Sequence, residues 1–110
     1  MIEDTIEKIE ARIRKASSVP EENKAELLNL FSTLKSEVAQ LARTHEDQAQ
    51  SITGFSEVST HEATREEKNP ELLKHSLDGL SSSVNGFEES HPELVQIVNR
   101  ICVTLSNLGI

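Results

Sequence analysis

Apolar residues recur along this chain in alternating steps of four and three, and proline interrupts it at positions 20, 70 and 92. A helix of 3.6 residues per turn puts such positions on one face, so the spacing predicts amphipathic helices. Proline suits the first turn of a helix and breaks its interior, so each one marks a new start. Four helices are expected, over about 2–16, 19–67, 70–88 and 91–108, in a single domain over 1–110. The fold class expected is all-α: an antiparallel helical bundle or paired helical hairpins, with a long second helix.

In the first segment Ile2, Ile6, Ile9, Ile13 and Ala16 form the stripe. Glu3, Asp4 and Glu7 lie toward its start, and Lys8, Arg12, Arg14 and Lys15 toward its end, as the helix dipole favours. The dipole accounts for the basic cluster; an anion site is the alternative reading. Ser18-x-x-Glu21 has the capping-box pattern, with Pro20 in the first turn. Leu27, Phe31, Leu34, Val38 and Leu41 follow, and the stepping continues through His45, Gln48, Ile52 and Phe55. A register that survives polar positions predicts one long helix. A fresh cap at Thr44 to Asp47, breaking it near 45–47, is the main alternative.

Asn69-Pro70 reads as an N-cap followed by proline at the first helical position. Leu73, Leu77, Leu80, Val84 and Phe87 then carry the stripe. Asp78-Gly79 and Asn85-Gly86 are hairpin-turn dipeptides in isolation, but the helical period runs through both. Gly79 and Gly86 are therefore expected inside this helix, facing the second. Ser90-x-x-Glu93 is another capping box, with Pro92 in its first turn. Leu94, Val98, Ile101, Leu105 and Leu108 form the last stripe, and Val95, Ile97 and Cys102 widen the apolar arc to about 160°. Gly109-Ile110 predicts a Schellman ending, with Gly109 just past the helix and Ile110 packing back on Leu105.

Two helices joined by a tight turn pair residues whose numbers add to a constant. Around Pro20 the constant 40 matches Ile13 with Leu27, Ile9 with Phe31, Ile6 with Leu34 and Ile2 with Val38, all apolar. Around Pro70 the constant 139 matches Ala63 with Ser76, Thr60 with Gly79 and Ser56 with Ser83, all small. The same constant sets Phe55 against Val84. Small residues allow close helix approach, so a tight hairpin is expected there; a flexible Ser-rich stretch is the alternative. Around Ser90-His91, Leu73 meets Leu108, Leu80 meets Ile101 and Phe87 meets Leu94.

Composition narrows the function. The chain has 110 residues and net charge -8, with 3% aromatic residues and neither Trp nor Tyr. Nucleic-acid binding needs basic surface, and single strands need aromatic platforms, so that class is excluded. No run of eighteen apolar residues exists, so no membrane span is expected. The acidic start Met1-Ile2-Glu3-Asp4 lacks a signal-peptide core, which makes the cytoplasm the expected location. The single cysteine excludes an internal disulfide.

Chemistry-bearing groups are sparse. Cys102 falls on the apolar arc and reads as a small hydrophobe rather than a nucleophile, which would need a basic setting and a His base. His45, His61, His75 and His91 are scattered. Glu57 and His61 share a helix face, and Glu88-x-x-His91 has a di-iron spacing without the second copy that such a site needs. No four ligands come together, so no metal or other cofactor is expected. His45 lies in the apolar register and reads as a hydrogen-bonded polar layer, or as a pH-sensitive one. No phosphate loop, catalytic triad or carboxylate pair is present, so the chain is not expected to be an enzyme.

Phe87-Glu88, Ser90-His91-Pro92, Leu94, Leu105, Leu108 and Gly109-Ile110 form a combined pattern. It resembles a family of small bacterial helical proteins known only as a domain of unknown function. The likeness is distinctive over about the last quarter of the chain; over the first two helices only the helix-Pro-helix layout agrees. The resemblance implies a bacterial, cytoplasmic protein and brings no activity, cofactor or catalytic residue.

The function expected is that of a non-enzymatic interaction or scaffold protein forming a homodimer. An elongated hairpin array of this length buries too little alone, and the last helix has more apolar arc than one neighbour covers. Val95, Ile97 and Cys102 are the candidate self-association residues. A regulatory adaptor that docks a partner's helix, or a metal- or ligand-binding bundle, are the alternatives.

Overall fold

The computed structural model describes residues 2–109. Its elements are α1 (Ile2–Lys15), α2 (Glu21–Leu41), α3 (Glu46–Thr64), α4 (Pro70–Ser83) and α5 (Pro92–Gly109). Among the described residues the class is all-α as expected, with five helices in place of four. The long second helix is broken between Leu41 and Glu46. His45 takes φ -138° and ψ 64°, which no helix accommodates. The amides of Thr44 and His45 fold back on the Leu41 carbonyl at 3.1 and 2.7 Å and close the turn. Ile52 is buried in the same core as Leu41, which carries the apolar period across the break.

The first two helices pack on each other. Ile6, Ile9, Ile13, Leu27, Phe31, Leu34 and Val38 are all at most 2% exposed and belong to one core cluster. The capping box at Ser18 does not form: Pro20 is the N-cap of α2, and no side chain caps that helix. Lys24 instead reaches back to donate from Nζ to the Arg14 carbonyl at 3.0 Å. A cation thus satisfies an orphan acceptor at the C-terminus of α1.

The start of α4 matches the sequence. Asn69 Oδ1 accepts from the Leu72 amide at 3.2 Å, with Pro70 in the first turn. Its end does not, because α4 stops at Ser83 and Gly86 lies beyond it with φ +95°. Asn85-Gly86 acts as a turn after all. Val84 and Phe87 remain buried on either side of it, and that burial mimics the helical period. At Ser90 the hydroxyl bonds the His91 ring rather than capping α5. Gly109 is the last residue of α5 and sits against Leu73 and Ala63; the Ile110 contact lies outside the described residues.

The most extensive packing is between α3 and α4. The buried residues of α3 are mostly small: Ala49, Thr53, Ser56, Ser59, Thr60 and Ala63, with Ile52 and Glu62. Thr53 and Ser56 donate their hydroxyls to carbonyls four residues back, so these two enter the core with their bonds made, whereas the buried hydroxyls of Ser59 and Thr60 have no partner among the described residues. Among the described residues α1 packs on α2 and α3 alone, while α5 packs on α2, α3 and α4. The radius of gyration is 12.9 Å, close to the roughly 13 Å of a compact domain of this length. Accessible surface is 6271 Å², against about 6,100 Å² for a folded monomer of this mass. Of the two architectures expected, the compact bundle is the one found, and it buries a normal share of its surface alone.

Candidate functional site

α5 is the helix with the broadest apolar arc, and the fold divides that arc. Leu94, Val98, Ile101 and Leu105 are fully buried against the other helices. Val95, Ile97 and Cys102 are half-buried and pack at the edge of the same core. Val95 and Cys102 lie on the same flank, about 20° apart, whereas Ile97 is about 140° round the helix from Cys102. The structure thus brings two of the three together and sets Ile97 apart.

The residue missed is Val103, which is 61% exposed. It stands between two shallow grooves. One, of about 490 Å³, runs along α5 beside α2 and is lined by Pro92, Val95, Asn99, Arg100 and Val103. Arg100 is tied across it to Glu26 at 3.7 Å. The other, of about 660 Å³, lies between α4 and α5 and is lined by Leu77, Asp78, Cys102 and Val103. Val103 stands about 80° round the helix from Val95 and outside the apolar stripe, so the spacing carries no signal for it.

Cys102 is held as a neutral thiol. Burial, and then the nearby Asp78 carboxylate, push its pKa up from 9.0 to about 11. Its Sγ lies 3.9 Å from the Leu77 carbonyl. A reactive cysteine has the reverse environment.

The histidines form no polar layer. His45 is exposed at the start of α3, its Nδ1 2.8 Å from the Thr44 hydroxyl. His91 repeats the arrangement with Ser90 at 2.9 Å. Both rings stand edge-on to Phe87, with centroids 5.4 and 5.3 Å away. They cover a phenyl group in the turn between α4 and α5. Glu88 accepts from the Gly86 amide at 2.9 Å, and His61 lies 3.8 Å from Glu62. Among the described residues no three His, Cys, Asp or Glu side chains cluster as metal ligands. No described helix is long and apolar enough to cross a membrane.

No curated protein and no solved structure matches the chain significantly. Residues 27–110 match the family model described as Domain of unknown function (DUF4404), and the chain belongs to that family.

Proposed function

We propose that this member of the DUF4404 family is a non-enzymatic interaction protein, cytoplasmic, that pairs with a second copy of itself through the outer face of α5. The observation that carries the reading is Val103, an exposed β-branched residue between two shallow grooves on the helix with the fewest charges. After Glu93, Arg100 is the only charged side chain on α5. Asn99 lies midway between Val95 and Val103. Two copies of α5 packed antiparallel about Asn99 therefore put each Val95 on the partner's Val103, a self-complementary arrangement of the kind a two-fold axis requires. The half-buried Cys102 flanks this face, and its unreactive thiol suits a packing role. The lone cysteine also fits a reducing compartment.

Sedimentation of the wild type and of Val103→Glu tests this. Val103 is exposed, so the variant keeps its fold by circular dichroism. The wild type sediments as a concentration-dependent dimer and the variant as a monomer. A wild type that stays monomeric at several hundred micromolar, or a variant that dimerises equally well, overturns the reading.

A further inference from the structure

On a chain of net charge -8, the C-terminal half of α1 carries Lys8, Arg12 and Lys15 at spacing i, i+4, i+7. None of the three forms an ion pair among the described residues. Lys24, Lys35, Arg65, Lys74 and Arg100 each have a carboxylate partner, and of the other cations without one Arg14, Arg43 and Lys68 stand apart from this row of three. The helix dipole accounts for Arg12 and Lys15 in or near the last turn, but Lys8 lies about two turns from the end, where that effect has faded. Like charges at i and i+4 disfavour a helix, so Lys8 and Arg12 stand together against the stability of α1.

These side chains rim a groove between α1 and α3. Two open depressions of about 440 and 460 Å³ meet at Lys8 and Arg12. Ile9 and Val58 line one, and Ala11 and Ala16 the other. Val58 is 48% exposed. Arg12 Nε donates to Thr64 Oγ1 at 2.9 Å, which fixes the guanidinium across the groove and leaves its terminal N–H groups for another acceptor. A site that buries a small molecule is concave and encloses most of it; these depressions are shallow and lie end to end. The three cations span about 10 Å along the axis, two turns of an opposing helix. Glu57 and His61 close the Val58 end, so the carboxylates of an occupant must end before Glu57.

We propose that this groove docks an acidic amphipathic helix of a partner protein. Carboxylates at i, i+4 and i+7 face Lys8, Arg12 and Lys15, and the adjoining apolar stripe covers Val58, Ala11 and Ala16. The charge complementarity makes the site selective for acidic segments despite the acidity of the chain as a whole. The inference does not depend on α5, because among the described residues α1 does not pack on α5.

The test is fluorescence anisotropy of the full chain with a labelled helical peptide carrying Glu at i, i+4, i+7 beside a Leu stripe. A Glu→Gln version of the peptide is the control. The acidic peptide binds at least tenfold more tightly than the Gln peptide and loses that advantage at high salt. Lys8→Gln with Arg12→Gln weakens it tenfold or more, while Arg43→Gln, an exposed cation elsewhere, leaves it unchanged. Val103→Glu also leaves it unchanged, which separates this site from self-association. Equal affinity for both peptides, no binding of either, or full binding by the Lys8/Arg12 variant overturns the proposal. So does competition by millimolar inorganic phosphate as effective as by unlabelled peptide, which marks a simple anion site.

Discussion

The ring of Phe55 on α3 occupies the place where a side chain on Gly79 of α4 would begin. The close approach that Gly79 permits is thus to an aromatic side chain and not to the α3 backbone. Phe55 is 40% exposed, so its ring has somewhere to go. Gly79→Ala gains about 1 kcal/mol of helix propensity and loses the ring contact, so it is expected near neutral. In a Phe55→Ala background the same change is stabilising by about 1 kcal/mol, because nothing then opposes it. Gly79→Leu costs about 1–3 kcal/mol by overpacking. Urea denaturation of the four single and double variants checks the cycle. Identical effects of Gly79→Ala in both backgrounds would show that the ring does not constrain this glycine.

Gly86 poses the opposite situation. A Cβ there meets open space, yet the backbone has φ +95°. Gly86→Ala therefore costs about 1–2 kcal/mol through backbone conformation alone. The Gly86 amide donates to Glu88 Oε1, so the turn is also tied locally. Gly86→Asn is expected to cost less than Gly86→Ala, since Asn tolerates the left-handed region better. Thermal melts of the two variants give the order; Ala more stable than Asn would contradict the assigned conformation.

The contrast between these two glycines shows how much of the fold the sequence carried. Features set by local spacing were legible: the burial of Ile9 and Phe31 where α1 packs on α2, the Asn69 cap, Pro92 as the start of α5. Helix ends were not legible where burial outlasts the helix. Val84 and Phe87 keep a helical beat across a turn, and His45 interrupts a stripe that resumes at Ile52. The tight α3–α4 packing was readable from small residues, but its detail was not, because the Phe55 ring depends on how the two helices slide past each other. On α5, Val95 and Cys102 were visible as surplus apolar positions. Val103 was not, since a single exposed valine outside the stripe has no periodic signature. The basic run on α1 was visible, but its lack of carboxylate partners depends on which helix lies beside it.

Ile9 tests the first hairpin directly. It is 2% exposed and packs in the cluster that holds the fully buried Phe31. Ile9→Ala removes buried methyl groups and leaves a cavity, which costs about 2–4 kcal/mol. For a chain of this size that is a large share of the total stability. Chemical denaturation with an unchanged slope checks it. A loss below about half a kcal/mol would place Ile9 at a surface and undo the pairing of α1 with α2.

Cys102 yields a prediction in pH. Its thiol is pushed up from 9.0 to about 11 by burial and then by Asp78. At pH 8 a thiol of pKa 11 is ionised to about one part in a thousand, against about one in ten for the unfolded chain, and only the thiolate attacks an alkylating reagent. Iodoacetamide is therefore expected to react roughly 100-fold more slowly with the folded chain at pH 8 than with the chain in urea. The folded rate then climbs about tenfold per pH unit until it levels near pH 11. The linkage has a definite sign. Below pH 9 both states hold the proton and stability is unaffected. Between about pH 9 and 11 the unfolded chain releases a proton that the folded chain retains, so stability falls across that window. Cys102→Ala removes this alkaline decline, and Asp78→Asn, which takes away the smaller cause, shifts the folded rate profile toward lower pH. Folded and unfolded rates that coincide at pH 8 would show that α5 leaves the thiol in open solvent, and with it the face on which Val95 and Val103 are placed.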